Sequence, residues 1–250
     1  MAVGPYAVTI VKNVLIPMRD DVQLAANLHL PDGEGPWPAV MTYFPYHKDG
    51  TGGLRFVDPI HRYFASHGFA CLTLDVRGTG NSGGTSISPN ADDEPSDGYD
   101  AVEWIAAQPW CNGAVGLWGI SYGGATTLSV AATNPPHLRA IVPIHGSADE
   151  YDGFFRPHCC RPGFWTEAEW GPSMVAMNLL PPLYRDDAGR WERVWQEHLE
   201  GEPWPLSWHG GRDDWSPIRV DVEAISAPMF AICGWLDYYP GVTLRYFNRV

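Results

Sequence analysis

Positive charge is scarce in this chain of 250 residues: 16 Lys and Arg stand against 29 Asp and Glu, a formal net charge of −13. A surface so charged repels a phosphate backbone and an anionic bilayer alike, so neither nucleic acid nor a membrane is expected as a partner. Long apolar runs are missing too. Gly, Pro and polar residues interrupt each one well before the roughly 20 apolar residues that a spanning helix needs. Met1 to Ile10 lacks the basic start and apolar run of a secretory signal, which makes the cytoplasm the expected location. The five cysteines (Cys71, Cys111, Cys159, Cys160 and Cys233) are odd in number and lack a C-x-x-C pair, so reduced structural thiols are expected. Cys159 and Cys160 adjoin His158, but a third and fourth ligand at sensible spacing are missing. No metal and no other cofactor is expected.

What the chain does have is turn chemistry and core. Its 27 Gly and 23 Pro suit a loop-rich globular domain, and 45% hydrophobic residues with 13% aromatics can build a sizeable interior. Disorder, collagen and coiled coil are excluded. Apolar runs at Val8 to Ile16, Val22 to Leu30, Ala39 to Phe44, Phe69 to Leu74, Ala114 to Trp118, Leu138 to Ile144 and Pro228 to Cys233 read as strands. Between them Ile60 to His67, Tyr99 to Gln108 and Ala125 to Ala132 carry helical spacing, and a last helix after Asp237 is still running at Val250. The alternation predicts right-handed βαβ crossovers in a mostly parallel sheet with helices on both faces. Seven of the twelve Trp fall between Trp165 and Trp215, and Trp191, Val194, Trp195 and His198 mark one face of an amphipathic helix. This change of character divides the chain into a core (residues 1–146), a helical lid insertion (147–225) and an incomplete return to the core (226–250).

Gly119-Ile-Ser121-Tyr-Gly123-Gly124 follows a predicted strand and precedes a helix of small residues, which makes it a nucleophile elbow. A serine on so sharp a turn needs neighbours two residues away that lack side chains, and Gly119 and Gly123 comply. The backbone N–H of Tyr122, at the helix N-terminus, faces the place where a tetrahedral oxyanion would form. A second glycine cluster, Asp75-Val-Arg-Gly78-Thr-Gly80-Asn-Ser-Gly83-Gly84, contains G-x-G-x-x-G after a strand. A dinucleotide site would need a helix opening at the third Gly and an acid closing a second strand about 20 residues on; Thr85 to Pro95 reads as loop, and the acid's position falls in a helix.

Pro45-Tyr46, Asp75 to Gly84, Gly119 to Gly124 and Gly234-Trp-Leu-Asp237, in this order, resemble the cocaine-esterase and X-prolyl dipeptidyl-peptidase family of α/β-hydrolases. Asp149-Glu150-Tyr151-Asp152 and Trp215-Ser216-Pro217 are similar to the family's pattern as well. The resemblance implies the α/β-hydrolase fold and a serine hydrolase that cleaves a carboxylic ester through an acyl-enzyme. An X-prolyl dipeptidyl peptidase or an α-amino-acid ester hydrolase is the alternative, and a noncatalytic binding protein on the same fold is a further one. Ser121 would be the nucleophile, Tyr46 an oxyanion donor beside Tyr122, Asp237 the acid that orients a histidine, and Trp235 a substrate contact. Asp149, Glu150 and Asp152 would form an ammonium clamp if the substrate carries an amine; otherwise they are solvated surface. The chain departs from the pattern in one respect. The Ser, Asp, His order demands a histidine after the acid, yet none follows His209. The histidine is therefore expected beyond Val250, where the family also carries a last strand and a β-sandwich; His145, at the end of a strand, is the least implausible internal substitute but reads rather as a structural or pocket residue.

Overall fold

The computed structural model describes residues 4–85, 93–149, 170–201, 219–237 and 239–249. Strands β1 (Val8–Pro17), β2 (Gln23–Pro31), β3 (Trp37–Phe44), β4 (Ala70–Asp75), β5 (Cys111–Ile120) and β6 (Leu138–Ile144) form one sheet in the order β1-β2-β4-β3-β5-β6. The four strands from β4 to β6 run parallel, while β1 and β2 are antiparallel additions at one side. The burial explains this order. Every residue of β4 is buried, as a parallel strand covered on both faces requires, whereas β1 is half-buried or exposed at every position but Ile16, as an edge is. Its register shifts between Val11 and Val14, where Asn13 adopts φ 56°, an irregularity of the kind that blunts an edge strand.

Helix α1 (Asp58–Ser66) connects β3 to β4, α2 (Asp93–Ala106) connects β4 to β5, and α3 (Tyr122–Ala132) connects β5 to β6. The step from β3 to β4 goes one way across the sheet and the later steps go the other, so right-handed crossovers put α1 on the opposite face from α2 and α3. The reversal leaves a crevice outside the carboxyl ends of the adjacent strands β3 and β5, where ligands of doubly wound sheets bind. Leu72, Met41, Val115, Leu117, Ile105 and Leu128 belong to the main core, all nearly or fully buried. Two further helices, α4 (Gly171–Leu179) and α5 (Arg190–Glu200), precede a short helix at Val222–Ala224, and α6 (Pro240–Phe247) comes last.

Three expectations change in detail. Residues 228–232 run parallel to β6, with Phe230 N–H donating to the Ile141 carbonyl at 2.9 Å and His145 N–H to Ile232 at 2.9 Å, but bridges form only at Met229 and Ile232, so no continuous strand results. The last helix stops at Phe247 instead of running on to Val250, because Asn248 N–H and Arg249 N–H fold back onto Leu244 and Tyr246 in a closing turn. Asp93 to Pro95, read as loop, already belong to α2: two acids in the first turn suit its amino end.

Candidate active site

Ser121 sits between the end of β5 and the start of α3 with φ 59° and ψ −117°. Such a conformation costs a non-glycine residue about 1–3 kcal/mol and persists only where the surroundings over-determine it. They do so here. Its N–H donates to the Ile144 carbonyl at 2.9 Å, and its own carbonyl accepts from Gly124 and Ala125 at 2.9 and 3.0 Å. A Cβ on Gly119 would land on the backbone of Gly123, and one on Gly124 would land on Gly146, 2.8 Å from its Cα. At Gly123 the finding departs from expectation: a Cβ there would meet only ordinary contacts at 3.8 Å. The indispensable pair is Gly119 and Gly124.

Ser121 opens onto a cavity of about 600 Å³ that Tyr46 also lines. Phe44, Phe56, Trp118, Trp170 and Met177 make its wall largely apolar. Tyr46, just past β3, packs its ring edge-on to Tyr122 at 6.3 Å and accepts a hydrogen bond from Trp170 Nε1 at 3.4 Å. The backbone N–H of Tyr122 opens α3, where first-turn amides have no intrahelical acceptor. Its side chain serves a different purpose: the phenol donates to buried Glu94 Oε1 at 2.6 Å and pins α3 to α2.

The second glycine cluster proves to be the scaffold for Tyr46. Asp75, at the end of β4, accepts Lys48 N–H at 2.5 Å and Asn81 N–H at 3.0 Å. The Lys48 ammonium, fully buried, donates to Asp49 at 2.7 Å and to Asn81 Oδ1 at 3.1 Å. His47 between them takes φ 60°, and burial lowers its pKa so that it stays neutral. Arg77 forks onto Asp97 at 2.8 and 2.6 Å and onto Asp20 at 2.7 and 3.1 Å, and these hydrogen bonds raise its pKa further. Gly78 and Gly80 adopt φ 70° and 53°, and a Cβ on Gly80 would strike the Asp75 carboxylate. The glycines make room for an internal carboxylate, which leaves no cradle for a phosphate.

Asp237 lies beyond residues 228–232, at the same sheet edge as Ser121. It pairs with His145 Nδ1 and accepts from Cys233 Sγ at 3.6 Å. His145, at the end of β6 with φ 49°, reads from sequence as a structural or pocket residue and as the one internal substitute for the base; the structure places it against the acid. Its position directly after a strand that neighbours the elbow strand was the available signal. Among the described residues no histidine hydrogen-bonds the Ser121 hydroxyl. Asp149 forms an ion pair with Arg219 at 3.2 Å, and Trp235 is 82% exposed, so neither lines the cavity. Glu150, Asp152, Cys159 and Cys160 lie outside the described residues, as do Ser216 and Pro217. Cys71, Cys111 and Cys233 are free thiols, and burial pushes that of Cys71 well up.

Residues 20–250 match the family model described as X-Pro dipeptidyl-peptidase (S15 family). The chain is 38% identical to a cocaine esterase of Rhodococcus sp. (strain MB1 Bresler) over 280 aligned positions, which take in all of this chain and 47% of that protein. It is 31% identical over 173 positions to a putative serine esterase of Mycobacterium bovis, covering 62% of this chain and 27% of that one. Among solved structures, a CocE/NonD family hydrolase from Staphylococcus aureus superposes with a TM-score of 0.68 at 26% identity, over 88% of this chain and 40% of the other. The fold is that of an α/β-hydrolase. The chain spans about half or less of the length of these relatives.

Proposed function

Because the chain belongs to the X-Pro dipeptidyl-peptidase (S15) family, we propose that it forms the nucleophile-bearing part of a serine hydrolase that cleaves a small carboxylic ester with an apolar acyl group. One observation carries the reading: Ser121, held at positive φ, and the Tyr46 phenol line the same apolar cavity of about 600 Å³. In this scheme Ser121 Oγ attacks the acyl carbon while a histidine takes its proton. The carbonyl oxygen, now anionic, accepts from Tyr46 O–H and Tyr122 N–H. Collapse expels the alcohol and leaves an acyl-enzyme, which water hydrolyses by the same route. Asp237 orients the histidine, which we place beyond Val250. Residues 147–225 act as the lid, since Trp170, Met177 and Leu180 close the cavity from that side. An ammonium clamp at Asp149 has less support, because Arg219 already engages that carboxylate, and this ranks an ester above an X-prolyl peptide. No helix among the described residues is long and apolar enough to cross a membrane, and a cytoplasmic location is part of the proposal.

The test is labelling of the full-length protein with a serine-reactive fluorophosphonate, with Ser121→Ala as control. Labelling at Ser121, with faster turnover of p-nitrophenyl esters than of Gly-Pro anilide, is expected. A folded protein that takes no label overturns the reading in favour of a binding role.

A further inference from the structure

Beside the triad acid, the same corner holds two ligating groups, His145 and Cys233, that the hydrolysis scheme does not use. The ligand atoms of His145, Cys233 and Asp237 lie within 4.8 Å of one another, on three separate backbone positions that the parallel pairing of β6 with residues 228–232 brings together. A nitrogen, a sulfur and a carboxylate oxygen make a donor set for a borderline-soft divalent ion such as zinc or cobalt, and a poor one for magnesium or calcium. The sulfur-to-oxygen spacing fits as well. A tetrahedral zinc with its sulfur at about 2.3 Å and its oxygen at about 2.0 Å sets those two atoms roughly 3.5 Å apart; Cys233 Sγ and Asp237 Oδ2 are 3.6 Å apart. The His145 imidazole nitrogen now lies in direct contact with the Asp237 carboxylate, too close for both to ligate one ion, and would have to withdraw. It has room to do so, since its side chain is 36% exposed and Gly234 presents no side chain against it, a Cβ there coming only to 3.9 Å from His145 Cε1.

We propose that His145, Cys233 and Asp237 form a three-ligand site for a zinc-type cation, with water in the fourth position, and that the ion acts as an inhibitor by capturing the triad acid. Binding replaces the Cys233 S–H proton, which leaves to solvent, with a metal–sulfur bond. It also occupies the Asp237 oxygen that would otherwise accept from the catalytic histidine. The inhibitory part rests on the hydrolase reading, whereas metal binding does not.

The experiment uses full-length protein stripped with a chelator and titrated with Co²⁺. A near-ultraviolet thiolate-to-cobalt charge-transfer band that saturates at one equivalent is expected. Zn²⁺ should displace the Co²⁺, protect Cys233 from iodoacetamide in peptide mapping, and depress p-nitrophenyl ester turnover until chelator restores it; Mg²⁺ should do none of these. Cys233→Ser should abolish the band, and His145→Asn should weaken Co²⁺ binding by roughly tenfold or more. A band that survives Cys233→Ser, which assigns the metal to Cys159 or Cys160, overturns the proposal, as does alkylation of Cys233 at the same rate with and without Zn²⁺. The cobalt and alkylation readouts need no turnover, so their failure is distinguishable from failure of the hydrolase reading. A metal that binds as predicted without slowing turnover overturns the inhibitory part.

Discussion

The two corners of the site are built differently. The corner of Ser121 and Tyr46 rests on fully buried charge: Lys48 and Asp75 are 2% and 1% exposed, and Arg77 ties two acids from opposite ends of the chain's first hundred residues. The corner of Asp237 is tied to β6 by two isolated bridges and the four backbone hydrogen bonds around them, and its neighbours Phe230, Trp235 and Leu236 are 67%, 82% and 104% exposed. Preorganised donors gain their advantage from not having to reorganise when charge develops, so the oxyanion side is where rigidity matters most. The acid side needs only to orient a base, and it can be held loosely.

Lys48→Met should damage the tied corner most. It removes the buried cation 3.7 Å from Asp75, whose carboxylate keeps only its backbone donors, while Asp49 keeps Lys12 and Asn27; loss of one partner from a buried pair costs about 3–5 kcal/mol. Urea unfolding should show that loss; a change under 1 kcal/mol would mean that the corner is not held by its charges. Tyr46→Phe keeps the ring's packing and removes one oxyanion donor, which typically costs about 10²–10³ in kcat, or roughly 2.7–4 kcal/mol. Steady-state kinetics on a p-nitrophenyl ester should show the fall in kcat with KM little changed and the unfolding midpoint preserved. An unchanged kcat would remove Tyr46 from the oxyanion role.

Acid should loosen the same corner. His61, fully buried beneath the cavity, accepts from Trp118 Nε1 at 3.1 Å and faces Thr42 and Thr73, and burial holds its pKa down at about 3. Its unfolded value is near 6.5, so between pH 6.5 and 3 the unfolded chain binds a proton that the native one refuses, and stability falls as pH falls, by up to about 1.4 kcal/mol per unit. His29, His47 and His198, also lowered by burial, act in the same sense. Urea midpoints measured from pH 7 to pH 5 should fall, and His61→Gln should flatten the slope.

The tied corner was also the more legible one in sequence. Gly119 to Gly124 announces its own geometry, because a positive-φ serine leaves a local steric demand that glycines record. The role of Asp75 to Gly84 was legible only as punctuation: its purpose, a carboxylate reaching across to the Tyr46 loop, depends on β3 and β4 being adjacent, which no local pattern encodes. The same holds for His145. It meets Asp237 across 92 residues through a parallel pairing, and single-chain periodicity is silent about which strands become neighbours. Asp149 shows the limit from the other side: sequence left it open between an ammonium clamp and solvated surface, and its ion pair with Arg219 depends on a contact 70 residues away that no local pattern encodes.

Asp149→Asn is the mildest test and bears on the substrate side of the comparison. The Asp149 to Arg219 pair is 29% and 56% exposed on its side chains, and such surface pairs contribute about 0–1 kcal/mol. The substitution should shift the unfolding midpoint by less than that and leave both kcat and KM for a neutral ester unchanged. If it instead raises KM for an amino-acid ester while sparing a neutral one, Asp149 faces the substrate ammonium during turnover. The ion pair with Arg219 in the free protein would then be exchanged for the substrate ammonium during turnover.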